Sequence, residues 1–342
     1  NRIKDTKAST IDGKLSANGR IVLINPNGLV FGSSAIVDVG GLVATTSDLE
    51  DDNAFMAGGA LKFTKPGAAD AKIVNNGTMT AKDGGLIGLV APNVENNGVI
   101  QARLGKVQLA SGDIHTIDFA GDGLIKLEIS DDMYARTVKN TGTITADGGE
   151  ILLTAAAARG LVDALVINTG TLRAETITLP GGVQKAGRIE LSSIGLPDAV
   201  TYVTNGKAAI VNTGHISANG NLYDQVAGSI TVLADSIRIG DGSVIEASGD
   251  AGGGSIRIGG DYQGGNGVPT SDLLYVSQDA IIEANARRRG NGGRIILWSD
   301  ENTRFYGHAE AMGGAEGGDG GLIEISGKTF LDFDGTINLL AA

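Results

Sequence analysis

The chain has 342 residues, 42% of them hydrophobic and 19% charged, which is enough for a large core and typical of a folded protein. Its net charge of −12 argues against nucleic acid as a partner, and the absence of Cys excludes a disulfide-dependent secreted scaffold. Gly supplies 54 residues, about 16% where roughly 7% is usual, so the sequence predicts very frequent turns.

The first predicted strands flank a strong turn signal. Residues 21–24 are apolar, Asn25-Pro26-Asn27-Gly28 follows, and residues 29–31 are apolar again. Pro fixes φ while Asn and Gly tolerate positive φ, so this stretch predicts a corner between two strands. The chain opens without Met on polar residues, and no apolar run reaches the roughly 18 residues of a membrane helix. We therefore expect it to start inside a longer precursor.

Two short patterns recur along the chain. Asn-x-Gly-x-apolar-x-Ala occurs five times, at intervals of 21, 44, 28 and 44 residues, and its copies begin at Asn75, Asn96, Asn140, Asn168 and Asn212. Gly-x-apolar-x-apolar occurs nine times, and its copies begin at Gly19, Gly85, Gly105, Gly149, Gly187, Gly228, Gly254, Gly293 and Gly321. Such repetition identifies a repeat protein.

The repeats predict an all-β solenoid. Apolar residues alternate at period two within strands of four to six residues, and no segment has the length of a helix. Because the same strand pattern recurs about every 22 residues, we expect strands of the same pattern to stack above one another. This favours a right-handed parallel β-helix of about 20–22 residues per coil. A leucine-rich repeat would need its L-x-x-L-x-L frame, and a β-propeller about twice the period.

The regularity of the repeats divides the chain into three sections. Residues 1–70 have the opening motif and a less regular register, residues 71–227 hold the regular coils, and residues 228–342 form a glycine-rich continuation. We expect insertions near 112–135 and near 196–208, where the period is interrupted. We interpret the sections as one continuous solenoid, not as independent domains.

Two sets of side chains stand out as candidate sites. Asn75, Asn96, Asn140, Asn168 and Asn212 recur at one corner, and we expect a ladder in which each amide bonds the backbone or the Asn above it. Arg287-Arg288-Arg289 follows a predicted strand, and an exposed loop that binds an anionic ligand is one interpretation. The alternative is a plain solvated loop.

Other polar groups give no catalytic pattern. His115, His215 and His308 share no ligand spacing, and the acidic runs 48–52 and 130–132 read as solvated loops. No Ser/His/Asp arrangement, phosphate loop or metal motif is present. We predict no enzyme, no cofactor and no metal.

Long motifs at both ends carry a family resemblance. SANGRIVLINPNGLVFG from Ser16, with STIDGKLSANG overlapping its start and VDVGGLVATT after it, resembles the secretion domain of two-partner-secretion exoproteins, the filamentous haemagglutinin-like adhesins of Gram-negative bacteria. The family signature NPNGI stands here as residues 25–29, with Leu29 last. The stretch GGRIILWSDENTRFYGHAEAMGGAEGGDGGLIEISGK from Gly292 resembles a segment recurrent in the family. The family's earlier NPNL motif and signal peptide should lie upstream of Asn1, so the resemblance makes residues 1–70 the C-terminal part of the secretion domain and the start of the β-helix.

The resemblance implies a route to the cell surface. Such exoproteins pass the periplasm and cross the outer membrane through a dedicated β-barrel transporter, which recognises the secretion domain. The resemblance therefore makes Asn25, Pro26, Asn27 and Gly28 candidate transporter-recognition residues as well as a corner. It implies a secreted or cell-surface location, and self-association along the solenoid remains open. It names no host, bacterial or matrix receptor.

Three functions follow as hypotheses. The first is a structural adhesin whose β-helix presents loops for attachment to cells, surfaces or matrix. The second is the stalk of a contact-dependent toxin or of a haem-acquisition exoprotein, which sequence beyond residue 342 would distinguish. The third is a β-helix enzyme active on polysaccharides, which would need an acidic-basic groove that the sequence does not reveal.

Overall fold

The structure is a computed structural model that describes residues 1–53, 60–117, 125–128, 136–156, 164–193 and 208–341. Two compact units share the chain. Unit 1 consists of residues 1–144, 152–167 and 193–208, and unit 2 consists of residues 145–151, 168–192 and 209–342. The three sections predicted from the repeats remain a prediction, because they concern the regularity of the sequence and not packing.

Short strands make up almost all of the regular structure. Up to Ala155 they are β1 (Ser9–Ile11), β2 (Lys14–Ser16), β3 (Arg20–Ile24), β4 (Leu29–Phe31), β5 (Ile36–Val39), β6 (Gly41–Thr45), β7 (Asp48–Leu49), β8 (Leu61–Lys65), β9 (Lys72–Asn75), β10 (Thr78–Ala81), β11 (Leu86–Ala91), β12 (Asn93–Asn96), β13 (Val99–Gln101), β14 (Lys106–Ser111), β15 (Ile114–Ile117), β16 (Ile125–Glu128), β17 (Arg136–Asn140), β18 (Thr143–Thr145) and β19 (Glu150–Ala155).

The remaining strands have the same lengths. They are β20 (Ala164–Asn168), β21 (Thr171–Arg173), β22 (Ile177–Thr178), β23 (Gln184–Lys185), β24 (Arg188–Ser193), β25 (Ala209–Asn212), β26 (His215–Ser217), β27 (Ser229–Ala234), β28 (Ser236–Ile239), β29 (Val244–Glu246), β30 (Ser255–Ile258), β31 (Leu273–Val276), β32 (Ile281–Glu283), β33 (Arg294–Ser299), β34 (Asn302–Phe305), β35 (His308–Glu310), β36 (Leu322–Gly327), β37 (Phe330–Phe333) and β38 (Thr336–Asn338). A 3-10 turn spans Tyr262–Gly264. Among the described residues, no helix is long and apolar enough to cross a membrane.

Unit 1 is built from three parallel sheets. Their strand orders are β1-β4-β9-β12-β17, β2-β5-β10-β13 and β3-β6-β11-β14, so successive coils add one strand to each sheet. The strand register places apolar residues at equivalent repeat positions next to one another: Ile73 pairs with Val94, and Val94 with Val138. All three are buried, which gives one inward column per strand position.

Unit 2 repeats the arrangement. Its strand orders are β25-β28-β31-β34-β37, β21-β26-β29-β32-β35-β38 and β27-β30-β33-β36, again parallel. The Ala of the repeat is buried wherever it occurs, at Ala81, Ala102, Ala146, Ala174 and Ala218. The predicted right-handed parallel β-helix is confirmed.

Unit 1 also carries a lateral sheet that the coil pattern did not predict in full. Its strand order is β16-β15-β8-β7, and the pairs are antiparallel. It contributes Leu49, Leu61, Phe63, Ile117 and Ile125 to a core with residues of β3, β6, β11 and β14. We call these four strands the lateral sheet.

The two predicted insertions are described only in part. Residues 114–117 and 125–128 form the antiparallel pair β15–β16. Residues 118–124 and 129–135 lie outside the described residues, and so does the second predicted insertion apart from Ala208.

Candidate functional site

The Asn-Pro-Asn-Gly motif is the corner between β3 and β4. The Gly28 amide donates to the Asn25 carbonyl oxygen at 3.0 Å, and the Asn27 amide donates to Asn25 Oδ1 at 2.9 Å. Gly28 has a φ of +110°, in the left-handed region that favours Gly. A Cβ at this position would lie 2.6 Å from the carbonyl oxygen of Lys72, so Gly is also required by the close approach of that backbone.

The two asparagine side chains of the corner face the protein. Asn25 is 0% exposed, and its Nδ2 donates to Ser9 Oγ at 3.0 Å and to the Lys7 carbonyl oxygen at 3.2 Å. Asn27 Nδ2 donates to the Asp5 carbonyl oxygen at 2.8 Å. The motif therefore fastens the segment 5–9 to the first corner. In the folded state, a buried side-chain amide that already has its hydrogen-bond partners cannot bind another protein.

A second segment braces the corner from the other side. The Ala68 amide donates to the Pro26 carbonyl oxygen at 2.8 Å. A Cβ on Gly67 would lie 2.5 Å from the carbonyl oxygens of both Pro26 and Thr46. The corner is thus enclosed by residues that follow β8 of the lateral sheet, a contact that no sequence motif predicts.

The lateral sheet buries a histidine beside an aromatic ring. His115 on β15 is 0% exposed and stacks on Phe63 of β8, with ring centroids 4.4 Å apart and 7° between the planes. Burial lowers the pKa of His115 to about 3, and its Nε2 finds no hydrogen-bond partner among the described residues. The ring is therefore neutral at physiological pH.

An ionic pair lies buried at the start of β15. Arg136 is fully buried, its Nη2 lies 4.0 Å from Asp113 Oδ2, and its Nη1 donates to the Ala156 carbonyl oxygen at 3.3 Å. Burial lowers the pKa of Arg136, while Asp113 opposes that change. A buried charge beside an opposite charge is tolerated, whereas a lone one would be strongly destabilising.

The repeated asparagines form a ladder in each unit. In unit 1, Asn75 Nδ2 donates to Asn96 Oδ1 and Asn96 Nδ2 to Asn140 Oδ1, both at 2.8 Å. In unit 2, Asn168 Nδ2 donates to Asn212 Oδ1 at 2.7 Å, and Asn212 donates in turn to Ser243 Oγ. All five asparagines are 0% exposed. Their role is to satisfy one another inside the solenoid, not to face a ligand.

The arginine triplet lies among carboxylates. Arg288 donates to Asp250 at 2.8 Å and to Glu316 at 2.9 Å, and Arg289 pairs with Asp224. Arg287 Nη1 donates to Asn221 Oδ1 at 2.6 Å. Two of the three charges are thus balanced by the protein's own acids, which weakens the interpretation of this loop as a site for an anionic ligand.

The other two histidines pair with glutamates on the second sheet of unit 2. His215 Nε2 lies 3.3 Å from Glu246 Oε2, and this contact raises the pKa of His215. His308 Nε2 lies 2.7 Å from Glu310 Oε1. In the part of the chain that the structure describes, no group of three or more His, Asp or Glu could hold a metal ion.

The first acidic run binds the start of the chain. Asp48 and Asp52 of the first run both bind Arg2, with distances of 2.8 and 2.6 Å. This attaches the first residues of the chain to the start of the lateral sheet. Residues 130–132 of the second run lie outside the described residues.

Comparison with known proteins places these features in a family. The family model of the TPS secretion domain matches residues 1–196. The chain is similar over 99% of its length to the crystal structure of the HMW1 secretion domain from Haemophilus influenzae, with a TM-score of 0.76, 28% identity and 84% of that chain covered.

Two curated relatives from Haemophilus influenzae share the name Heme/hemopexin-binding protein. The relative from strain Rd is 38% identical over 161 residues, covering 45% of this chain and 17% of that protein. The other is 32% identical over 250 residues, covering 66% of this chain and 25% of that protein. The chain thus spans no more than about a quarter of the length of the curated relatives it matches.

Proposed function

We propose that this chain, which belongs to the family of TPS secretion domains, directs the export of a larger exoprotein through an outer-membrane β-barrel transporter and then begins its β-helix. The observation that carries the proposal is the family match over residues 1–196, which contains the Asn-Pro-Asn-Gly corner and the lateral sheet. The exported protein is then secreted or displayed at the cell surface.

The corner supports a particular order of events. Asn25 is buried and hydrogen-bonded to residues 7 and 9 in the folded chain. The transporter therefore contacts this side chain before the chain folds. Folding outside the cell then buries the side chain and fastens the segment 5–9. The motif acts first as an extended recognition segment and afterwards as a corner.

The experiment is export with and without the transporter. A secreting strain carries the chain with its native leader and its transporter, and the chain is quantified in the medium, at the surface and in the periplasm. Loss of the transporter should abolish appearance outside the cell. Undiminished export without any transporter would contradict the proposal.

A matched pair of variants separates recognition from folding. Asn25→Ala removes the buried motif side chain, whereas Asn76→Ala removes an exposed Asn at an ordinary corner of the solenoid. We expect Asn25→Ala to reduce export strongly and Asn76→Ala to leave it unchanged. Refolding of each purified variant is measured alongside. If Asn25→Ala refolds poorly but is exported normally, the motif is a corner only.

For the complete exoprotein we propose attachment to cells, surfaces or matrix. A second candidate is haem acquisition, favoured because both curated relatives are named for binding heme and hemopexin. The full-length exoprotein, immobilised, is offered hemopexin, haemin and cultured host cells in turn. Cell binding without hemopexin or haemin binding supports attachment, and the reverse supports haem acquisition.

We also propose that the chain has no enzymatic activity. Two carboxylates of the described surface that lie beside basic groups are already paired, Asp250 with Arg288 and Glu310 with His308, which supports this proposal. Incubation with acidic polysaccharides should release neither unsaturated nor new reducing ends. Measurable release would overturn this proposal.

A further inference from the structure

The lateral sheet is linked to the Asn-Pro-Asn-Gly corner through the chain that follows β8. This strand lies between β7 and β15, where Phe63 pairs with Leu49 on one side and with His115 on the other. Ala68, whose amide donates to the Pro26 carbonyl oxygen at 2.8 Å, follows shortly after β8. A movement of β8 away from its neighbours therefore also displaces the residue that braces the corner.

The first residues of the chain form a second link between the two features. On the lateral sheet, Arg2 Nε donates to Asp48 Oδ1 of β7 at 2.8 Å. At the corner, the Asp5 carbonyl oxygen accepts from Asn27 Nδ2, also at 2.8 Å. The segment from Arg2 to Asp5 thus reaches from the lateral sheet to the corner and is held at both ends. Opening of the lateral sheet therefore removes a restraint on the corner.

A shared apolar core provides a third link. Ile24, the residue directly before the motif, is 3% exposed and belongs to one buried cluster with Leu61 and Phe63 of β8 and Ile125 of β16. If the lateral sheet left the solenoid, this apolar surface would meet water, which is unfavourable. The core therefore stabilises the docked lateral sheet and the folded start of the motif together.

The strand β16 docks on the solenoid through a glutamine and two glycines. Gln108 on β14 is buried and bonds both backbone groups of Ile125: its Nε2 donates to the carbonyl oxygen at 2.7 Å, and its Oε1 accepts from the amide at 2.8 Å. A Cβ on Gly88 would lie 2.5 Å from Ile125 Cδ1. A Cβ on Gly112 would lie 2.8 Å from Leu127 Cδ2. Side chains of β16 thus fill the space that these glycines leave open, which gives the strand a defined docked position.

The strands β15 and β16 are tied together at their base. The chain leaves the coil after Asp113 and rejoins it at Arg136, the first residue of β17. These two side chains are buried, with 4.0 Å between Arg136 Nη2 and Asp113 Oδ2. A buried charge without its partner is strongly unfavourable, so the pair favours a closed base. In chain order, β15 and β16 come after the corner and after the coil strands β6, β11 and β14 on which they dock.

We propose that docking of β15 and β16 locks the Asn-Pro-Asn-Gly corner in its buried state, so that the corner and the lateral sheet open and close as one unit. Segments that share their contacts commonly open together as one cooperative part of a folded protein. The consequence for export rests on the proposed function: Asn25 stays accessible to the transporter until β15 and β16 have emerged. Their docking then withdraws Asn25 and ends that contact.

The test is native-state hydrogen exchange of the purified chain, followed by mass spectrometry. In the parent chain, peptides from the corner (24–31) and from β8 (61–65) should share one opening free energy, lower than that of β13 (99–101). Gln108→Ala removes both bonds to Ile125 and changes no residue of the corner. Because it leaves buried backbone groups without these partners, it should speed exchange of the corner and of β8 by the same factor, about 10-fold or more.

Gln225→Ala is the matched control, because Gln225 is also a buried glutamine that bonds a backbone amide but belongs to unit 2. It should leave exchange of the corner and of β8 unchanged, and circular dichroism establishes that both variants are folded. A folded Gln108→Ala chain in which β8 exchanges faster while the corner exchanges as in the parent overturns the inference. So does a parent chain in which the corner opens only together with β13, because the corner would then have no unit in common with the lateral sheet alone.

A cross-link tests the coupling in the opposite direction, without weakening the fold. Lys62 of β8 and Thr116 of β15 are paired residues, and the chain has no Cys of its own, so Lys62→Cys with Thr116→Cys gives one defined disulfide. Oxidation should slow exchange of the corner by about 10-fold or more relative to the reduced form. A disulfide that protects β8 but not the corner overturns the inference. Exchange of the purified chain involves no transporter, so such a failure leaves the proposed export function unaffected, and loss of that function would leave the coupling intact.

Discussion

The buried His115 predicts a loss of stability in mild acid that one substitution removes. In the folded chain its pKa is about 3, whereas in the unfolded chain it is near the ordinary 6.5. Between these values the unfolded state binds a proton that the folded state does not. Stability therefore falls as the pH falls below 6.5, and the loss is complete near pH 3.

The size of the effect follows from the difference in protonation. Each pH unit below 6.5 is worth about 1.4 kcal/mol, so lowering the pH from 7 to 5 should cost about 2 kcal/mol through this ring. His115→Phe keeps a planar apolar ring against Phe63 and removes the titration. It removes Nε2, which lacks a partner among the described residues, and also the long contact of Nδ1 with the Asp113 carbonyl oxygen at 3.4 Å. Because these two losses oppose each other, the variant should be about as stable as the parent at pH 7.

Hydrogen exchange of β8 and β15, measured by mass spectrometry at pH 7, 6 and 5, gives the opening free energy where the ring lies. The difference between parent and His115→Phe cancels the other titrating groups, and should grow by about 2 kcal/mol from pH 7 to 5. As a control, His215→Gln should not relieve the acid loss, because the pKa of His215 is raised and its pairing with Glu246 favours the folded state in acid. A difference that stays constant across the three pH values would refute the reasoning.

Three further predictions concern the solenoid. Asn96→Ala breaks the ladder on both sides and leaves the Asn75 amide without its acceptor. It should therefore lower the free energy of unfolding, measured by urea titration, by about 3 kcal/mol. The control Asn97→Ala, at the exposed neighbour, should change this free energy by less than about 1 kcal/mol. Gly28→Ala should destabilise the folded chain by about 2 kcal/mol or more, because Gly28 has a positive φ and an added Cβ would meet the Lys72 carbonyl oxygen. Gly19→Ala should be nearly neutral, because nothing lies within 4 Å of the added Cβ. Equal effects of the two variants would contradict the role of the corner. Glu283→Gln should raise the Tm at pH 7, because burial and the neighbouring Glu246 and Glu310 raise the pKa of Glu283, so its charged form disfavours the folded state and the gain should vanish near pH 4. Glu246→Gln should do the opposite at pH 7, because His215 lowers the pKa of Glu246, and a Tm that rises in both variants would argue against this assignment.

The repeats made the β-helix predictable, because a stacked coil pairs each strand with its own counterpart one period away. The register Thr78 with Val99 follows from the sequence pattern alone. The lateral sheet was less predictable, because its strands alternate like coil strands. Nothing in residues 61–65 or 114–117 indicates that they pair with each other in the antiparallel sense. In the folded chain this pairing places Phe63 opposite His115, where the two rings stack.

The candidate sites show the same division. The sequence identified the Asn-Pro-Asn-Gly turn, since turn chemistry is local. It did not indicate that Asn25 binds residues 16 and 18 positions earlier, because such partners depend on how the first coil closes. Likewise the arginine triplet looks basic in sequence, while Asp224, Asp250 and Glu316, its partners, lie 28 to 65 residues away. Ion pairs between coils cannot be predicted from the sequence, because they depend on which coils lie next to each other.

The ladders have a direction, and it bears on how the solenoid grows. In both units the amide N–H of one coil points to the next coil along the chain, at Asn75 and Asn96 as at Asn168 and Asn212. Each coil added satisfies the donor before it and presents a new unsatisfied donor of its own. The energetic penalty of one unpaired buried amide therefore always lies at the advancing end, where the next coil relieves it. The ladders therefore favour adding coils one after another from the amino end to the carboxyl end, which is the order in which a chain would leave a pore amino end first.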